Sequence, residues 1–539
     1  MRLPASLKAM VIAAVLLALA GCGEDKKAEA PAPLTLRDLG AEVVARECSL
    51  CHRAAADGSL SRLSGIRKTP EGWEMTLARM ESTRGVKLSP QDRRAAVKFL
   101  ADTQGLTPPE TAPYRYELER RPHVVESGHN ADVMSMCARC HAFARVALQR
   151  RDAEEWRLLF HTHLGLWPTL EYQALARDRD WWEEAQGWVA TALGKYFPYD
   201  TPAWREWAAA PAVDLQGRWR FVGYMPGEGF ADGIMTVTRN AIDEYGVAAE
   251  EQTTGGAAIN VNYAAIVYSK YEWRGRGKLD NREFYEVAAL NADGVTMTGR
   301  TYWIDAPEVG SNFVAVRADR GLQRPLAVTN EGLKRGASTE ITILGVGMKG
   351  EVSLGDGVAV RVTSRSEDKI IVMAEVATDA TLGRRDVRVG DAVMAQAVAV
   401  YDKIDRIEVA PGQATARLGS DKIAPVSAQF EAVAYASGDD GIAGTDDDFR
   451  IGVVAAAWDI APYDAEAARM KDHLYAGKIT PRGRFLPSEA GRNPERLYGA
   501  SNAGDLNVIA TVTDGERTLS GKARLTVTKP LPPMQRGGA

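Results

Sequence analysis

The pattern of apolar and polar positions changes near residue 212, and the change predicts two kinds of structure. Before it, Thr69-Pro70 and Ser89-Pro90 are pairs of a capping residue and a proline that start helices. After it, short runs such as Ile234–Thr238 alternate apolar and polar side chains, and turn signals such as Asp232-Gly233 and Asp293-Gly294 separate them. The chain is therefore predicted to be helical first and all-β afterwards.

The β part divides into three predicted domains. An antiparallel β-barrel is expected over residues 212–325, and immunoglobulin-like β-sandwiches over 326–405 and 406–530. The last domain is predicted to begin near Ile407 and to end in a hairpin around Asp514-Gly515. Residues 461–500 are rich in Pro, Arg and Gly and lack strand alternation, so a long ordered excursion is expected there, with a candidate partner surface.

Composition agrees with a large globular protein. At 539 residues, the chain is long enough for about four domains at roughly 150 residues each. The formal net charge of −5 gives no sign of nucleic-acid binding. The five cysteines lie in the first quarter of the chain, which is a poor pattern for a disulfide scaffold. They are Cys22, Cys48, Cys51, Cys137 and Cys140.

The first cysteine follows a predicted export signal over residues 1–21. Arg2 and Lys8 precede the apolar run Ala9–Ala20, which is too short to cross a bilayer and fits a secretory signal peptide. The run ends in Leu19-Ala20-Gly21-Cys22, which resembles the lipobox of bacterial lipoproteins and implies cleavage before Cys22 and lipidation of its sulfur. An ordinary signal peptide cut nearby is the alternative. Residues 22–36 would then be a tether.

The other four cysteines form two C-x-x-C-H motifs. Cys48, Cys51 and His52 make the first, and Cys137, Cys140 and His141 make the second. In c-type haem attachment the two thiols form thioethers with the porphyrin, and the adjacent histidine is the proximal iron ligand. A redox dithiol or half a zinc site would explain one copy, but two copies in an exported chain favour two haems c. The haem units are predicted over 37–107 and 114–200.

A sixth iron ligand is expected on the helix that follows each motif. In the first unit Met80 lies seven residues after Trp73, on the same helical face, whereas Met75 points largely away. Core packing is the alternative role for Met80. We predict Met80 as the distal ligand of the first haem.

The second unit repeats this arrangement with a histidine. Asp152 is expected to cap the corresponding helix. Aligning Trp156 with Trp73 places His163 where Met80 stands, and His161 falls on another face. The remaining alternatives for the distal ligand are His123, His129, Met134 and Met136. A His/Met haem and a bis-His haem would differ in potential, because a methionine ligand raises it.

Three other segments are candidate sites or linkers. The acidic stretch Asp439–Asp448 could bind calcium through oxygen ligands, but it does not match the EF-hand spacing, and a solvated loop is favoured. The Pro-rich Thr107–Pro113 is predicted to separate the haem units, and Pro198–Pro211 to link them to the barrel.

The whole arrangement resembles the alpha subunit of quinohaemoprotein amine dehydrogenase. Besides the two haem motifs, the resemblance includes the start of the predicted barrel at Leu215–Trp219 and the stretches Gly483–Pro487 and Ala490–Pro494 in the last domain. It implies a chain that receives electrons from a small gamma subunit, where cysteine tryptophylquinone oxidises primary amines to aldehyde and ammonia. It also implies a beta-propeller subunit and an external copper protein or cytochrome as acceptor.

The cysteines agree with an amine site on another chain. Forming the quinone needs a cysteine near a tryptophan, but haem attachment and the lipid would use every cysteine of this chain. The lipobox departs from the family, for which a soluble periplasmic enzyme is expected, so we predict a periplasmic protein anchored only by the lipid at Cys22. The alternatives are a standalone dihaem lipoprotein that relays electrons and a β-domain scaffolding or adhesion protein.

Overall fold

The computed structural model describes residues 34–121, 124–126, 130–168, 179–438 and 440–530. The predicted export signal, Cys22, His123, His129 and Asp439 lie outside these residues. Within them, helices predominate up to residue 209 and strands thereafter, so the predicted change from helical to β structure is confirmed.

Most helices belong to the amino-terminal module, and two short ones lie in the last domain. In chain order they are α1 Leu36–Val43, α2 Pro70–Arg84, α3 Pro90–Thr103, α4 Pro108–Thr111, α5 Arg115–Glu119, α6 Ala131–Cys137, α7 Ala144–Ala147, α8 Ala153–Leu166, α9 Trp181–Glu184, α10 Ala190–Tyr196, α11 Pro202–Ala209, α12 Ala465–Arg469 and α13 Asp472–Tyr475. One π-helical turn, Val44–Cys48, extends α1, and another, Ala185–Val189, joins α9 to α10. Every helix in the described part of the chain is too short or too polar to cross a membrane.

Side-chain caps start the three helices that the sequence predicts. Thr69 Oγ1 accepts a hydrogen bond from Gly72 N at 3.3 Å at the start of α2. Ser89 caps α3, and Asp152 Oδ1 accepts from Glu155 N at 2.7 Å at the start of α8. Each cap satisfies a backbone N–H that has no partner within its helix. The predicted helix starts are therefore confirmed.

A two-stranded ribbon joins the two halves of the helical module. Strand β1, Arg67–Lys68, pairs antiparallel with β2, Gln149–Arg150, and Arg67 stands opposite Arg150. Each of these arginines lies six residues before the tryptophan of the following helix, Trp73 in α2 and Trp156 in α8. Equivalent positions of the two units therefore face each other, as they do in a pair of repeats related by a local two-fold axis.

A closed antiparallel barrel of eight strands follows, as the sequence predicts. Each strand pairs with the next, and the last pairs with the first. Its strands are β3 Gly217–Met225, β4 Gly229–Ala241, β5 Glu244–Thr253, β6 Ala258–Tyr268, β7 Glu272–Leu279, β8 Arg282–Leu290, β9 Thr296–Trp303 and β10 Ala306–Arg317. Large side chains such as Trp219 and Trp273 lie in the barrel's buried core, at 0% and 1% exposed.

One predicted turn of the barrel is wrong. Asp232-Gly233 lies inside strand β4 and not between strands. The Asp232 carboxylate pairs with the buried Arg220 at 2.5 Å, which explains an acid inside a strand. A Cβ on Gly233 would lie 2.0 Å from the carbonyl oxygen of Glu250, so the glycine permits close approach of the neighbouring strand. Asp and Gly are common in turns, but at these two positions they serve the packing of strand β4.

The next domain consists of two four-stranded sheets that share a core. Its strands are β11 Arg324–Val328, β12 Gly332–Lys334, β13 Ser338–Val346, β14 Val352–Ser353, β15 Val358–Arg365, β16 Lys369–Val376, β17 Gly383–Val389 and β18 Ala392–Tyr401. One sheet has the order β11-β13-β16-β15 and the other β12-β18-β17-β14. Ile341 and Val372 of the first sheet and Val398 of the second belong to one buried cluster.

The last domain contains sheets of three and four strands and a small additional sheet. Its strands are β19 Arg406–Ala410, β20 Gln413–Arg417, β21 Ala428–Gln429, β22 Glu431–Ala436, β23 Phe449–Val454, β24 Ala457–Pro462, β25 Gly477–Ile479, β26 Arg484–Pro487, β27 Gly504–Asp514 and β28 Arg517–Thr528. The predicted excursion over 461–500 contains α12 and α13, and it also forms the strands β25 and β26, which pair with each other. The predicted terminal hairpin is present as β27 and β28.

The junction between the helical module and the barrel is structured. The predicted linker Pro198–Pro211 contains helix α11, whose first turn is capped by Thr201. Lys98 of α3, only 2% exposed, donates to Asp243 Oδ2 at 2.9 Å and to Val267 O at 2.8 Å on the barrel side. Arg274 of the barrel pairs with Glu71 of α2 through two nitrogens, at 2.5 and 3.1 Å. These buried contacts fix the helical module against the barrel.

Candidate haem-binding module

The first C-x-x-C-H motif forms a tight helical turn at the end of α1. His52 N donates to Cys48 O at 2.9 Å, so Cys48, Cys51 and His52 lie within one turn. The His52 Nδ1 atom lies 2.7 Å from Ser61 O. A carbonyl oxygen only accepts, so Nδ1 carries the hydrogen and Nε2 is left as the nitrogen that can bind iron.

The second motif has the same histidine chemistry. His141 Nδ1 lies 2.9 Å from Ala142 O, which again leaves Nε2 for a metal. Burial lowers the pKa of His141, and the charge of Arg145 acts in the same direction, so the imidazole is neutral as ligation requires. Cys137 ends α6 and is largely buried, which raises the pKa of its thiol to about 12. Cys140 is exposed.

Helix α2 places Met80 on the side of the first unit's core. Trp73 and Leu77 are its buried apolar residues, and Met80 continues their row one turn later. Met80 and Met75 are both half-buried. The Trp73–Leu77–Met80 row agrees with the geometry expected of the predicted ligand, although Met80 as the iron ligand stays a prediction.

Helix α8 separates His163 from His161 in the second unit. His163 is half-buried, and its Nδ1 donates to Leu159 O at 2.9 Å, so its Nε2 can serve as a ligand. Burial lowers the pKa of His163, and the charges of His141, Arg79 and Arg151 add to the effect. His161 is exposed and packs edge-on against Trp182, with ring centroids 5.0 Å apart.

The two methionine alternatives in the second unit lie in α6. Met136 is 2% exposed within the unit's apolar core, and its carbonyl oxygen accepts from Trp181 Nε1 at 2.9 Å. Met134 is half-buried against the same core. Their environment is that of packing residues, and His163 remains our prediction for the distal ligand.

A carboxylate that sequence reasoning missed joins the two units. Glu110, in the segment predicted to separate them, accepts from Arg67 Nη1 and Nη2 at 2.9 and 2.8 Å and from Arg150 Nε at 3.0 Å. Burial acts to raise the pKa of Glu110, but the hydrogen bond from Arg67 and the charges of Arg150 and Arg67 outweigh it and hold the pKa below its usual value. The sequence contains a signal for this link. When the alignment of Trp73 with Trp156 is extended towards the amino terminus, Arg67 and Arg150 occupy equivalent positions.

Two more buried cations flank this link. Lys68 lies 5.5 Å from the ring centroid of Trp73, and Arg151 lies 5.7 Å from that of Trp156, again at equivalent positions. Burial, together with the charges of Arg151 and Arg79, places the pKa of Lys68 well below its usual value. Burial lowers the pKa of Arg151 to about 9. The centre of the module therefore contains four buried basic side chains, Arg67, Lys68, Arg150 and Arg151.

The module fits a group with a porphyrin iron and carboxylates. The histidines offer Nε2 atoms to a metal, and the thiols of each motif stand at the spacing of thioether attachment. The buried donors Arg79 Nε and Trp156 Nε1 have no acceptor among the residues that the structure describes. A haem supplies the iron and the propionate carboxylates that these groups can bind.

Family models divide the chain as the fold does. The model described as "Quinohemoprotein amine dehydrogenase A, alpha subunit, haem binding" matches residues 38–204. Those of alpha subunit domains II, III and IV match 212–318, 323–402 and 407–534. The chain belongs to the quinohemoprotein amine dehydrogenase alpha subunit family. The resemblance drawn from the haem motifs and the β domains is thus confirmed.

Other comparisons add little to this family assignment. No curated protein matches the chain. Among solved structures, a de novo designed fluorescence-activating β-barrel has 15% identity and a TM-score of 0.17, covering 19% of this chain and 92% of its own. The mouse protocadherin PcdhgC3 EC1-3 has 12% identity and a TM-score of 0.15, covering 43% of this chain and 76% of its own. Likeness at this level indicates no function.

Family membership makes this alpha subunit a haem-binding component of an oxidoreductase complex with other subunits.

The acidic loop considered for calcium uses its carboxylates to bind its own backbone. Asp440 N donates to Asp447 Oδ2 at 3.1 Å, and Gly444 N to Asp448 Oδ2 at 2.9 Å, so these carboxylates hold the loop's own backbone. Among the described residues, no group of three or more His, Cys, Asp or Glu side chains is arranged to hold a metal ion.

Proposed function

We propose that this alpha subunit is the dihaem electron-transfer subunit of a periplasmic quinohaemoprotein amine dehydrogenase. It carries electrons from a cysteine tryptophylquinone on a gamma subunit, which oxidises primary amines to aldehyde and ammonia, to an external copper protein or cytochrome. A beta-propeller subunit completes the complex. The observation that carries the proposal is the pair of C-x-x-C-H turns, each with a histidine whose Nδ1 donates to a backbone carbonyl.

The residues have separate roles in this proposal. Cys48, Cys51, Cys137 and Cys140 attach two haems c. His52 and Met80 bind the first iron, and His141 and His163 bind the second. Haem iron, when bound, accepts and releases one electron at a time. The backbone carbonyls of Ser61, Ala142 and Leu159 accept from Nδ1 of His52, His141 and His163 and so fix the orientation of these imidazoles.

The amine-oxidising site belongs on a partner in this proposal. The four described cysteines lie in the haem motifs, and Cys22 is assigned to the lipid, so none remains to form a quinone cross-link. The buried Glu286 of the barrel is already engaged, because it accepts from Trp273 Nε1 at 2.6 Å and from Tyr263 Oη at 3.0 Å. We also propose attachment of the subunit to the periplasmic face of a membrane by the lipid at Cys22.

Native purification and haem analysis test this assignment. The expected result is co-purification of a propeller chain and a small internally cross-linked chain, with two c-type haems per alpha subunit in a pyridine haemochrome assay. Mass spectrometry of the mature amino terminus should find a lipidated Cys22, and a Cys22→Ser variant should be released in soluble form. An alpha subunit that purifies alone with fewer than two covalent haems would contradict the proposal.

A further inference from the structure

A carboxylate binds the backbone directly after the second C-x-x-C-H motif. Glu126 Oε2 accepts a hydrogen bond from Phe143 N at 2.6 Å, and Glu126 Oε1 accepts from Ala144 N at 2.9 Å. Hydrogen bonds from backbone N–H groups to a carboxylate are roughly twice as strong as bonds between neutral groups. Glu126 is therefore firmly attached to the loop that follows His141.

The peptide group that Glu126 binds also holds the histidine. The carbonyl oxygen of Ala142 and the N–H of Phe143 belong to one peptide bond, and Ala142 O lies 2.9 Å from His141 Nδ1. Arg145 N is a second donor to this oxygen, at 3.2 Å. Hydrogen bonds in a chain polarise one another, and the conjugated peptide bond connects its N–H to its carbonyl oxygen. The negative charge of Glu126 on the N–H side therefore makes Ala142 O a stronger acceptor for the imidazole.

The first motif lacks this carboxylate. His52 Nδ1 lies 2.7 Å from Ser61 O, and the N–H of that peptide bond belongs to Arg62. Among the residues that the structure describes, no carboxylate accepts from Arg62 N, and the Arg62 side chain pairs with Glu155. The two histidines thus make the same Nδ1 contact, but only the contact of His141 has a negative charge behind it.

We propose that Glu126 is a positioning residue for the second haem and lowers its reduction potential through the Ala142–Phe143 peptide bond. A stronger acceptor at Nδ1 makes His141 a more basic ligand, which favours the oxidised iron with its higher positive charge. Glu126 thereby widens the difference in potential between the two haems. This inference rests on the proposed function, because it needs a haem iron at His141.

The last domain holds the segment that carries Glu126. Val124, two residues before it, forms an antiparallel bridge with Ala414 of strand β20. Val124 N also donates to Arg121 O at 3.0 Å. A β domain that is distant in sequence from the haem motifs therefore helps to fix where this carboxylate lies.

Replacing Glu126 with Gln removes the negative charge and keeps one acceptor oxygen for the loop. The purified native complex is titrated spectroelectrochemically, and the methionine-to-iron charge-transfer band identifies the first haem. We expect Glu126→Gln to raise the reduced-to-oxidised ratio of the second haem by about threefold to tenfold at fixed potential. A tenfold change corresponds to about 59 mV for one electron. The potential of the first haem should stay the same.

A spectroscopic signature distinguishes this effect from a merely structural one. The near-infrared magnetic circular dichroism band of a ferric haem with two histidine ligands moves to higher energy as the imidazoles become stronger donors. In Glu126→Gln the band of the second haem should therefore move to lower energy. In the wild type it should lie at higher energy than the band of a haem c peptide with two neutral imidazole ligands, a comparison that needs no variant.

Glu119→Gln is the matched control. Glu119 is a buried acid of the same unit, with a side chain 6% exposed, but it pairs with the side chain of Arg145. Its replacement removes a negative charge without removing the bond to the Ala142–Phe143 peptide, so the band should stay in place. An unchanged potential and band in Glu126→Gln, or an equal band shift in Glu119→Gln, would overturn the inference. So would a wild-type band at the energy of the haem c peptide.

Haem content separates this inference from the proposed function. Two covalent haems that amine still reduces would leave the proposed function standing even if Glu126→Gln changes nothing. Fewer than two covalent haems in the wild-type complex would refute the proposed function, and the inference with it.

Discussion

Replacing Glu110 with Gln removes the carboxylate that joins the two C-x-x-C-H units of the haem-binding module. The Glu110 side chain is 15% exposed, and its partners Arg67 and Arg150 are 0% and 5% exposed, so the variant leaves two guanidinium groups buried without a counter-charge. Removal of one partner from a buried ion pair typically costs about 3–5 kcal/mol. For a module the size of residues 38–204, this corresponds to a fall in Tm of about 6–20 °C.

The pH dependence of this effect has a defined sign. The pKa of Glu110 in the folded chain lies below its ordinary value of 4.5, so its contribution to stability is present above that pH and is lost as the pH falls through the folded pKa. The difference between wild type and Glu110→Gln should therefore be full at pH 7 and shrink in acid.

Thermal unfolding of the holo chain, followed by the Soret circular dichroism, measures this difference. Glu74→Gln is the control, since Glu74 is 46% exposed and pairs with Arg93 at the surface, where such a pair contributes about 0–1 kcal/mol. Equal Tm values for the two variants at pH 7 would refute the reasoning that the Glu110 link stabilises the module.

Three further predictions concern the irons and the contact with the barrel. Met80→Ala and His163→Ala should each change the absorption and EPR spectra of one haem only, because each side chain is the predicted ligand of a different iron. Burial raises the pKa of Glu272 to about 7, so its ionisation opposes folding as the pH rises from about 4.5 to 7. Glu272→Gln should therefore raise the free energy of unfolding by about 2–4 kcal/mol at pH 8 and have little effect at pH 4.5, as measured by urea unfolding. Lys98→Met should lower the free energy of unfolding by about 3–5 kcal/mol, because it leaves the buried carboxylate of Asp102 without its 2.5 Å partner. The variant should also be cleaved faster by proteases, since the contact of α3 with the barrel is weakened.

Each of these predictions has a clear contrary result. Unchanged ligation spectra in either variant would refute that ligand assignment. Parallel stability curves for wild type and Glu272→Gln between pH 4.5 and 8 would mean that the Glu272 carboxyl has an ordinary pKa. A Lys98→Met chain as stable as wild type would show that this lysine does not anchor the module.

Local sequence signals predicted helix starts and strands well where a residue's role depends only on its neighbours in the sequence. The caps at Thr69 and Asp152 and the C-x-x-C-H turns were readable because capping and thioether spacing are local. The barrel's antiparallel strands were readable from alternation. Asp232-Gly233 was misread because its roles, an ion pair to Arg220 and close strand approach, depend on residues distant in sequence.

The connection between the two C-x-x-C-H units was the least predictable part of the site. The sequence predicts Thr107–Pro113 as a Pro-rich separator, yet this segment presents Glu110 to an arginine from each unit. Long-range ion pairs leave no periodic signal in one sequence. The repeat itself held a clue, because Arg67 and Arg150 precede equivalent tryptophans.

Amine-driven reduction of the haems tests the central claim most directly. The purified native complex is mixed with a primary amine under anaerobic conditions, and the haem absorption bands are recorded with and without added acceptor. We predict reduction of both haems without acceptor and reoxidation when a periplasmic copper protein or cytochrome is added. Haems that stay oxidised in the complete complex, with the gamma subunit present and its quinone reduced by amine, would contradict the account.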